Sequence, residues 1–239
     1  MKTTEDLRKL IKELNINSEN LRLKIENTIL KPYTTVSEIE NFCEESVKYK
    51  LGIIAINSGW VSVAKRITVN SNTKICCGIG FPLGATSIFC KTAEIKDAIC
   101  AGAEEVDFVV NISRVKSHDY TYVKKEIEEL VKSAEGRTTK AILETCYLTK
   151  EEKIKICEFA MDAGVNYVKT STGFGDGGAT IEDIILMKNT VKNVCKVKAS
   201  GGIRNLEDAL VLIQHGADRL GTSSGIKIMD EYKSLTGEN

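Results

Sequence analysis

The sequence predicts an α/β protein, a (β/α)8 TIM barrel with one extra N-terminal helix, with residues 1–239 forming a single domain. Three observations carry this expectation. Short β-branched runs recur along the chain and are continuous more than alternating, as expected of parallel strands covered by helices. Amphipathic helical patterns lie between those runs. Finally, eight such strands fit into 239 residues. A doubly wound open sheet, the competing architecture, needs about six strands and carries a G-x-G-x-x-G turn after the first, and no such turn follows the first strand here.

Taken in chain order, the lead-in helix falls near residues 5–14 and the first strand over 24–27. The later strands fall over 52–57, 74–79, 105–111, 140–145, 167–171, 196–200 and a short 219–221. Helix starts carry capping signals at Thr35-x-x-Glu38 and Thr149-x-x-Glu152, and at Asn205 before Leu206. Leu206, Ala209, Leu210 and Ile213 mark one apolar stripe; Val123, Ile127, Leu130 and Val131 mark another. Gly102, Gly164 and Gly216 each lead from a helical pattern into a strand, where glycine supplies the left-handed cap. The acidic stretch Glu126–Glu129, among lysines, reads as a solvated helix face.

Composition bounds the function. Thirty-three basic residues balance thirty-three acidic ones, so no basic surplus exists to displace counterions from a nucleic acid. No apolar run approaches the roughly 18 residues of a membrane span, and Met1 to Glu13 lack the apolar core of a signal peptide. The expectation is a soluble cytoplasmic protein with no nucleic-acid or membrane partner. Two prolines and the absence of low-complexity stretches leave no linker. The eight cysteines form no C-x-x-C pair and read as buried reduced thiols acting as small hydrophobes. Only two histidines, His118 and His215, are available, both expected at the surface, and no metal site is expected.

Barrels place their chemistry at the C-terminal ends of the strands. That rule singles out Asp107 in Val106–Asn111, Lys169 in Tyr167–Thr172 and Lys198 before Ala199-Ser200-Gly201-Gly202. A charge in a strand covered on both faces is costly unless it is paired or points into the barrel mouth. Two ammonium groups in one desolvated pocket repel, so one loses its proton near neutral pH. A neutral lysine amine is suited to attack a carbonyl and form a Schiff base, and a carboxylate across the pocket can relay protons. The alternative is that each lysine simply pairs with a carboxylate such as Glu144 or Asp107. A second constellation, Ser200-Gly201-Gly202-Ile203-Arg204 and Gly221-Thr222-Ser223-Ser224-Gly225, places glycine and hydroxyl residues where helices begin. Backbone N–H groups there make an anion site, although either loop alone also suits an ordinary β-α turn.

At these residues the sequence resembles the deoxyribose-phosphate aldolase family of class I aldolases. The resemblance rests on Gly80-Phe81-Pro82-Leu83-Gly84, Val106–Asn111, Val168-Lys169-Thr170-Ser171-Thr172-Gly173 and Val197–Arg204, and runs from about Ile25 to Lys227. It implies reversible cleavage of 2-deoxy-D-ribose 5-phosphate to D-glyceraldehyde 3-phosphate and acetaldehyde, within nucleoside catabolism. Carried over, Lys169 is the Schiff-base nucleophile, Asp107 the proton donor and acceptor, and Lys198 the second lysine that perturbs the first. Thr172, Gly173, Gly201, Gly202, Arg204, Gly221, Ser223 and Ser224 are implied as substrate and phosphate contacts. The resemblance implies no metal or organic cofactor, and a homodimer or homotetramer.

The sequence also departs from the family pattern. Glu26-Asn27-Thr28 stands where Asp-His-Thr is usual, Ala55 and Ser58 replace a usual cysteine and proline, and Cys146 replaces a glycine. Glu26 can still accept a hydrogen bond, Cys146 either crowds the mouth or exposes a thiol, and Trp60 is expected to pack beside the mouth. The rival readings are a Schiff-base aldolase for another aldehyde, a catalytically silent phosphate-binding barrel, and a metal-dependent barrel enzyme.

Overall fold

Eight strands pair parallel and in sequence order until the last closes on the first, in a computed structural model that describes residues 2–238. Met1 and Asn239, the ends of the expected domain, lie outside the described residues. The strands are β1 (Ile25–Ile29), β2 (Ile53–Asn57), β3 (Lys74–Ile79), β4 (Glu105–Val109), β5 (Thr138–Ile142), β6 (Tyr167–Lys169), β7 (Lys196–Ser200) and β8 (Arg219–Thr222). The helices are α1 (Thr4–Glu13), α2 (Ser18–Lys24), α3 (Val36–Lys48), α4 (Val61–Thr68), α5 (Ile88–Ala101), α6 (Ile112–Lys116), α7 (Tyr120–Ser133), α8 (Lys150–Asp162), α9 (Ile181–Val191), α10 (Leu206–Gln214) and α11 (Gly225–Thr236).

The lead-in helix is α1, and a second short helix, α2, follows it before β1. Asn17 caps α2, and its side chain and that of Asn20 satisfy each other's backbone N–H groups. The capping boxes at Thr35 and Thr149 and the Asn205 cap form as expected, and each satisfies N–H groups that have no partner within the helix. Gly102, Gly164 and Gly216 all adopt positive φ. Strands β4, β5 and β6 stop earlier than expected. Asn111 leaves β4 to cap α6, and Glu144 takes a left-handed conformation (φ 53°) just beyond β5. There the chain bends toward the barrel mouth.

The alternation of the strands separates two interiors. Outward-facing Ile54, Ile56, Ile75, Val106, Phe108, Ala141, Val168, Val197 and Leu220 join the helices in one continuous apolar layer. Each large aliphatic side chain there contributes roughly 1.5–3 kcal/mol by leaving water. Inside the barrel Ile53, Ala55 and Cys76 form a small apolar group; much of the remaining interior is charged. The apolar stripe of α7 is buried as expected, but the reading of Glu126–Glu129 as solvated is corrected at Glu126, which is fully buried. Its carboxylate pairs at 2.8 Å with the equally buried Lys91 of α5 and accepts the Asn111 N–H at 2.8 Å, while Lys91 Nζ also donates to the Val109 carbonyl. An isolated buried charge is costly, and this mutual pairing explains why both are tolerated. The cysteines also divide: Cys43, Cys76, Cys77, Cys157 and Cys195 are buried, whereas Cys90, Cys100 and Cys146 are exposed. Exposure corrects the small-hydrophobe reading for those three.

Candidate active site

Inward-facing positions at the same level of neighbouring strands assemble the site. Lys169 of β6 lies opposite Lys198 of β7 in the parallel register, so the two side chains enter the interior at one height. Asp107 of β4 reaches both: its Oδ2 accepts Lys169 Nζ at 2.8 Å and Lys198 Nζ at 2.7 Å. Both lysines and the aspartate are buried. The three residues singled out from sequence therefore meet at one carboxylate oxygen.

Four further charged groups and one thiol complete the cluster, and of these the sequence points only to Glu26, as a hydrogen-bond acceptor. Lys140 of β5 is fully buried and sits 2.7 Å from Asp107 Oδ1, 2.7 Å from Glu105 Oε2 and 3.3 Å from Glu26 Oε1. Arg219 of β8 bridges Glu26 at 3.0 Å and Glu105 at 2.7 Å while its guanidinium lies 4.5 Å from the centre of the Tyr167 ring. Glu26 also contacts Lys198. The Cys76 thiol donates to Asp107 Oδ1 at 2.9 Å, so this buried cysteine serves a polar centre as well as the small apolar group. The sequence signal for Lys140, Glu105 and Arg219 was the same as for Lys169, a charge at an inward position of an apolar run. Each stands near the start of its strand, however, where a solvated end is the simpler expectation.

Counting charges shows how the cluster is tuned. Three carboxylates (Glu26, Glu105, Asp107) face four cations (Lys140, Lys169, Lys198, Arg219), so full ionisation leaves one positive charge in excess. Burial disfavours every charge here, and the partners decide which group yields. Burial holds the Lys169 ammonium below the ordinary lysine range, because its one close carboxylate oxygen is shared with Lys198 and the neighbouring Lys198 charge repels it. Burial also opposes charge on Lys198, yet Asp107 and Glu26 outweigh it and raise Lys198 above its usual value. For Lys140, burial is likewise outweighed, by Asp107, Cys76, Glu26 and Glu105, and its ammonium is held well above the usual range. Against burial, the three lysines hold Asp107 well below the usual carboxylate range, and Lys140 and Lys198 lower Glu26. Burial and the Asp107 charge push the Cys76 thiol well up. Lys169 is thus the one lysine of the three whose proton is loosened.

Donor atoms of Glu26, Cys76 and Asp107 lie within 4.8 Å of one another, a spacing that could suit a metal ion. The ammonium groups of Lys140 and Lys198 already occupy those oxygens, and a cation placed there would meet them head-on. The set fits ammonium groups and does not fit a metal.

Above the cluster, the loops after β5, β6, β7 and β8 surround the mouth. Burial raises the Glu144 carboxyl, and Thr172 moderates this by donating to it through its backbone N–H at 3.1 Å and through its hydroxyl. Gly173, Gly201 and Gly202 all have positive φ. The loop after β6 rests directly on the loop after β7, where Ala179 N–H donates to the Gly201 carbonyl at 3.0 Å. A side chain at Gly178 would collide with the Gly201 backbone. Ser224 stands at the N-cap position of α11, a helix of 12 residues, without a side-chain capping bond, and Ser223 is exposed beside it. Arg204 is exposed and, among the described residues, its guanidinium has no carboxylate within 4 Å. Gly221 stands apart from the other expected phosphate contacts. It lies buried within β8, where an added Cβ would sit 3.0 Å from Lys198 Cε, so its lack of a side chain makes room for that lysine. Cys146 exposes its thiol and also abuts Gly175 and Gly177. Trp60 is half-buried at the end of the short turn after β2.

Comparison with known proteins gives a consistent picture. Residues 18–231 match the model of the DeoC/LacD family aldolases. A deoxyribose-phosphate aldolase from Thermoanaerobacter sp. (strain X514) is 49% identical over 219 residues, covering 90% of this chain and 98% of its own. Among solved structures, a putative deoxyribose-phosphate aldolase from Coccidioides immitis superposes with a TM-score of 0.88 at 33% identity, covering 97% of this chain and 98% of that one. A tetrameric deoxyribose phosphate aldolase from Aeropyrum pernix superposes with a TM-score of 0.87 at 29% identity, covering 99% of this chain and 100% of that one.

Proposed function

Because this chain belongs to the DeoC/LacD family of aldolases, we propose that it cleaves 2-deoxy-D-ribose 5-phosphate reversibly to D-glyceraldehyde 3-phosphate and acetaldehyde through a Schiff base on Lys169. The observation that carries this reading is the sharing of one Asp107 oxygen by Lys169 and Lys198, which leaves Lys169 the readiest amine to lose its proton.

The neutral Lys169 amine attacks C1 of the open-chain sugar, and loss of water gives a protonated imine. A base then removes the C3 hydroxyl proton, and the C2–C3 bond breaks. Its electron pair moves to the iminium nitrogen through an enamine, and glyceraldehyde 3-phosphate departs. Protonation of C2 and hydrolysis release acetaldehyde and restore the amine. Asp107, held ionised, suits proton acceptance, and Lys198, held protonated beside it, suits proton return. These steps draw on no metal or organic cofactor. Gly173, Gly201, Gly202, Ser223, Ser224 and Arg204 are assigned to the phosphate, with Thr172 ordering the loop above the imine. Their support is the positive-φ glycines, the α11 N-terminus and the exposed Arg204.

The reading extends to a single catalytic domain acting in the cytoplasm in deoxynucleoside catabolism, assembled as a homodimer or homotetramer. The tetrameric Aeropyrum pernix relative supports the assembly. Borohydride reduction in the presence of acetaldehyde, followed by peptide mass analysis, tests the chemistry. An ethyl adduct on Lys169 is expected; its absence, or an adduct on Lys198 instead, overturns the assignment. Cleavage rates on deoxyribose 5-phosphate and ribose 5-phosphate test the substrate, and faster cleavage of ribose 5-phosphate would overturn it.

A further inference from the structure

The C-terminal ends of α2, α3 and α11 converge on the face of the barrel opposite the mouth, since α2 leads directly into the start of β1 and α3 toward the start of β2. Between them lies a cleft of about 310 Å³ lined by Arg22, Lys48, Lys50, Lys233, Tyr49 and Met229, at the small end of the range for ligand sites. Cations in the last turn of a helix offset its dipole, and that accounts singly for Arg22, Lys48 and Lys233, with Lys50 lying just past the end of α3. It does not account for four of them around one concavity in a chain whose charges balance overall.

Acidic neighbours make no close ion pair with the three lysines of the cleft. Among the described residues, no carboxylate lies within 4 Å of Lys48, Lys50 or Lys233, and Arg22 reaches only the exposed Glu19, at 3.9 Å. Asp230 is engaged at 2.8 Å by the Tyr49 hydroxyl, a bond that ties α3 to α11 and fixes the aromatic floor, and Glu231 is turned to Lys227 at 3.6 Å. The Lys233 ammonium stands 5.6 Å from the centre of the Tyr49 ring, which anchors the ring and one of the four charges together.

We propose that this cleft is a binding site for a small polyphosphate, free or as the end of a nucleotide. Three ammonium groups and one guanidinium match several phosphoryl groups in a row better than a single carboxylate, because each phosphoryl presents oxygens to a separate cation. The cleft lies on the far side of the barrel from Lys169, so its occupant is not the sugar phosphate being cleaved.

Calorimetric titration of the full chain with inorganic tripolyphosphate, and in parallel with ATP, tests this. One equivalent per chain is expected to bind, with affinity falling as salt rises. The variants Lys48→Glu and Lys233→Glu should each weaken binding about tenfold or more by reversing a charge in the cleft, with thermal unfolding and the KM for deoxyribose 5-phosphate unchanged. Arg204→Ala, at the barrel mouth, should leave the binding intact. Tighter binding of ATP assigns a nucleotide as the source; equal or tighter binding of tripolyphosphate assigns the free polyanion. Binding of neither, or binding lost in Arg204→Ala and kept in Lys48→Glu and Lys233→Glu, overturns the proposal.

Discussion

Lys169 and Lys198 stand directly opposite each other in the β6–β7 register and share a single oxygen of Asp107. Two ammonium groups on one oxygen cannot be equally stabilised, and Glu26, on the far side of Lys198 alone, decides between them. That asymmetry is the physical basis for distinct roles in two lysines of the same strand level.

Replacing Lys198 with methionine should move the acid limb of the kcat profile to higher pH. The change removes a like charge from Lys169 and leaves Asp107 Oδ2 to it alone, so the Lys169 amine holds its proton further up the pH scale. Under the proposed mechanism activity requires the neutral amine, so it should recover only as pH rises. A pH–rate profile of the variant checks this, and an acid limb at its original position would contradict the charge-sharing account.

Lys169→Leu should fold and lose cleavage activity by about three or more orders of magnitude, because the covalent route is gone while substrate contacts remain. The buried leucine removes one cation from a set that has one to spare, so thermal stability should hold or rise. Activity assays and a melting curve on the same sample test both halves.

Lys140→Met should destabilise the fold by about 3–5 kcal/mol, since Asp107 and Glu105 each lose a buried partner at 2.7 Å. It should also raise the proton affinity of Lys169, because the remaining cations then equal the carboxylates. Adding Glu105→Gln should recover part of the stability. Denaturant titration of the single and double variants measures the coupling, and purely additive effects would show that Lys140 and Glu105 do not act together.

Outside the barrel, Lys91→Met or Glu126→Leu alone should cost about 3–5 kcal/mol, and the double substitution markedly less than their sum, as expected when a buried pair is removed whole. The same denaturant experiment reads it. Borohydride labelling of Lys169 should persist in the double variant, because neither residue touches the substrate.

The barrel and its buried charged trio are legible because Asp107, Lys169 and Lys198 interrupt apolar runs whose continuity already marks them as buried strands. Lys140 carried an equivalent signal but follows Thr138 and Thr139, a polar start that suggests a solvated strand end. Its burial follows from barrel closure, which brings the inward faces of β1, β4 and β5 within reach of one another, a relation that no local window contains. Glu126 was legible in principle: it lies three residues after Val123 and beside Ile127, on the apolar stripe of α7. Its partner Lys91 is 35 positions away, so only the packing of α5 on α7 reveals why a carboxylate belongs there. The helix α2 carries little sequence signal, because seven residues with one buried side chain show almost no periodicity.

The uneven count of three carboxylates and four cations constrains how such an interior can change over generations. Charges come in whole numbers, and a sealed interior has little room to dilute one. Any single charge-changing substitution among these seven residues therefore alters not just a contact but the choice of which amine holds its proton least tightly. Drift that preserves the chemistry must proceed by paired exchanges, one acid with one base, or by swaps of like for like such as a glutamate in the place of an aspartate at Glu26. The exposed rim of the barrel can diverge residue by residue; its centre, and a buried wall pair such as Lys91 with Glu126, can diverge only in balanced steps.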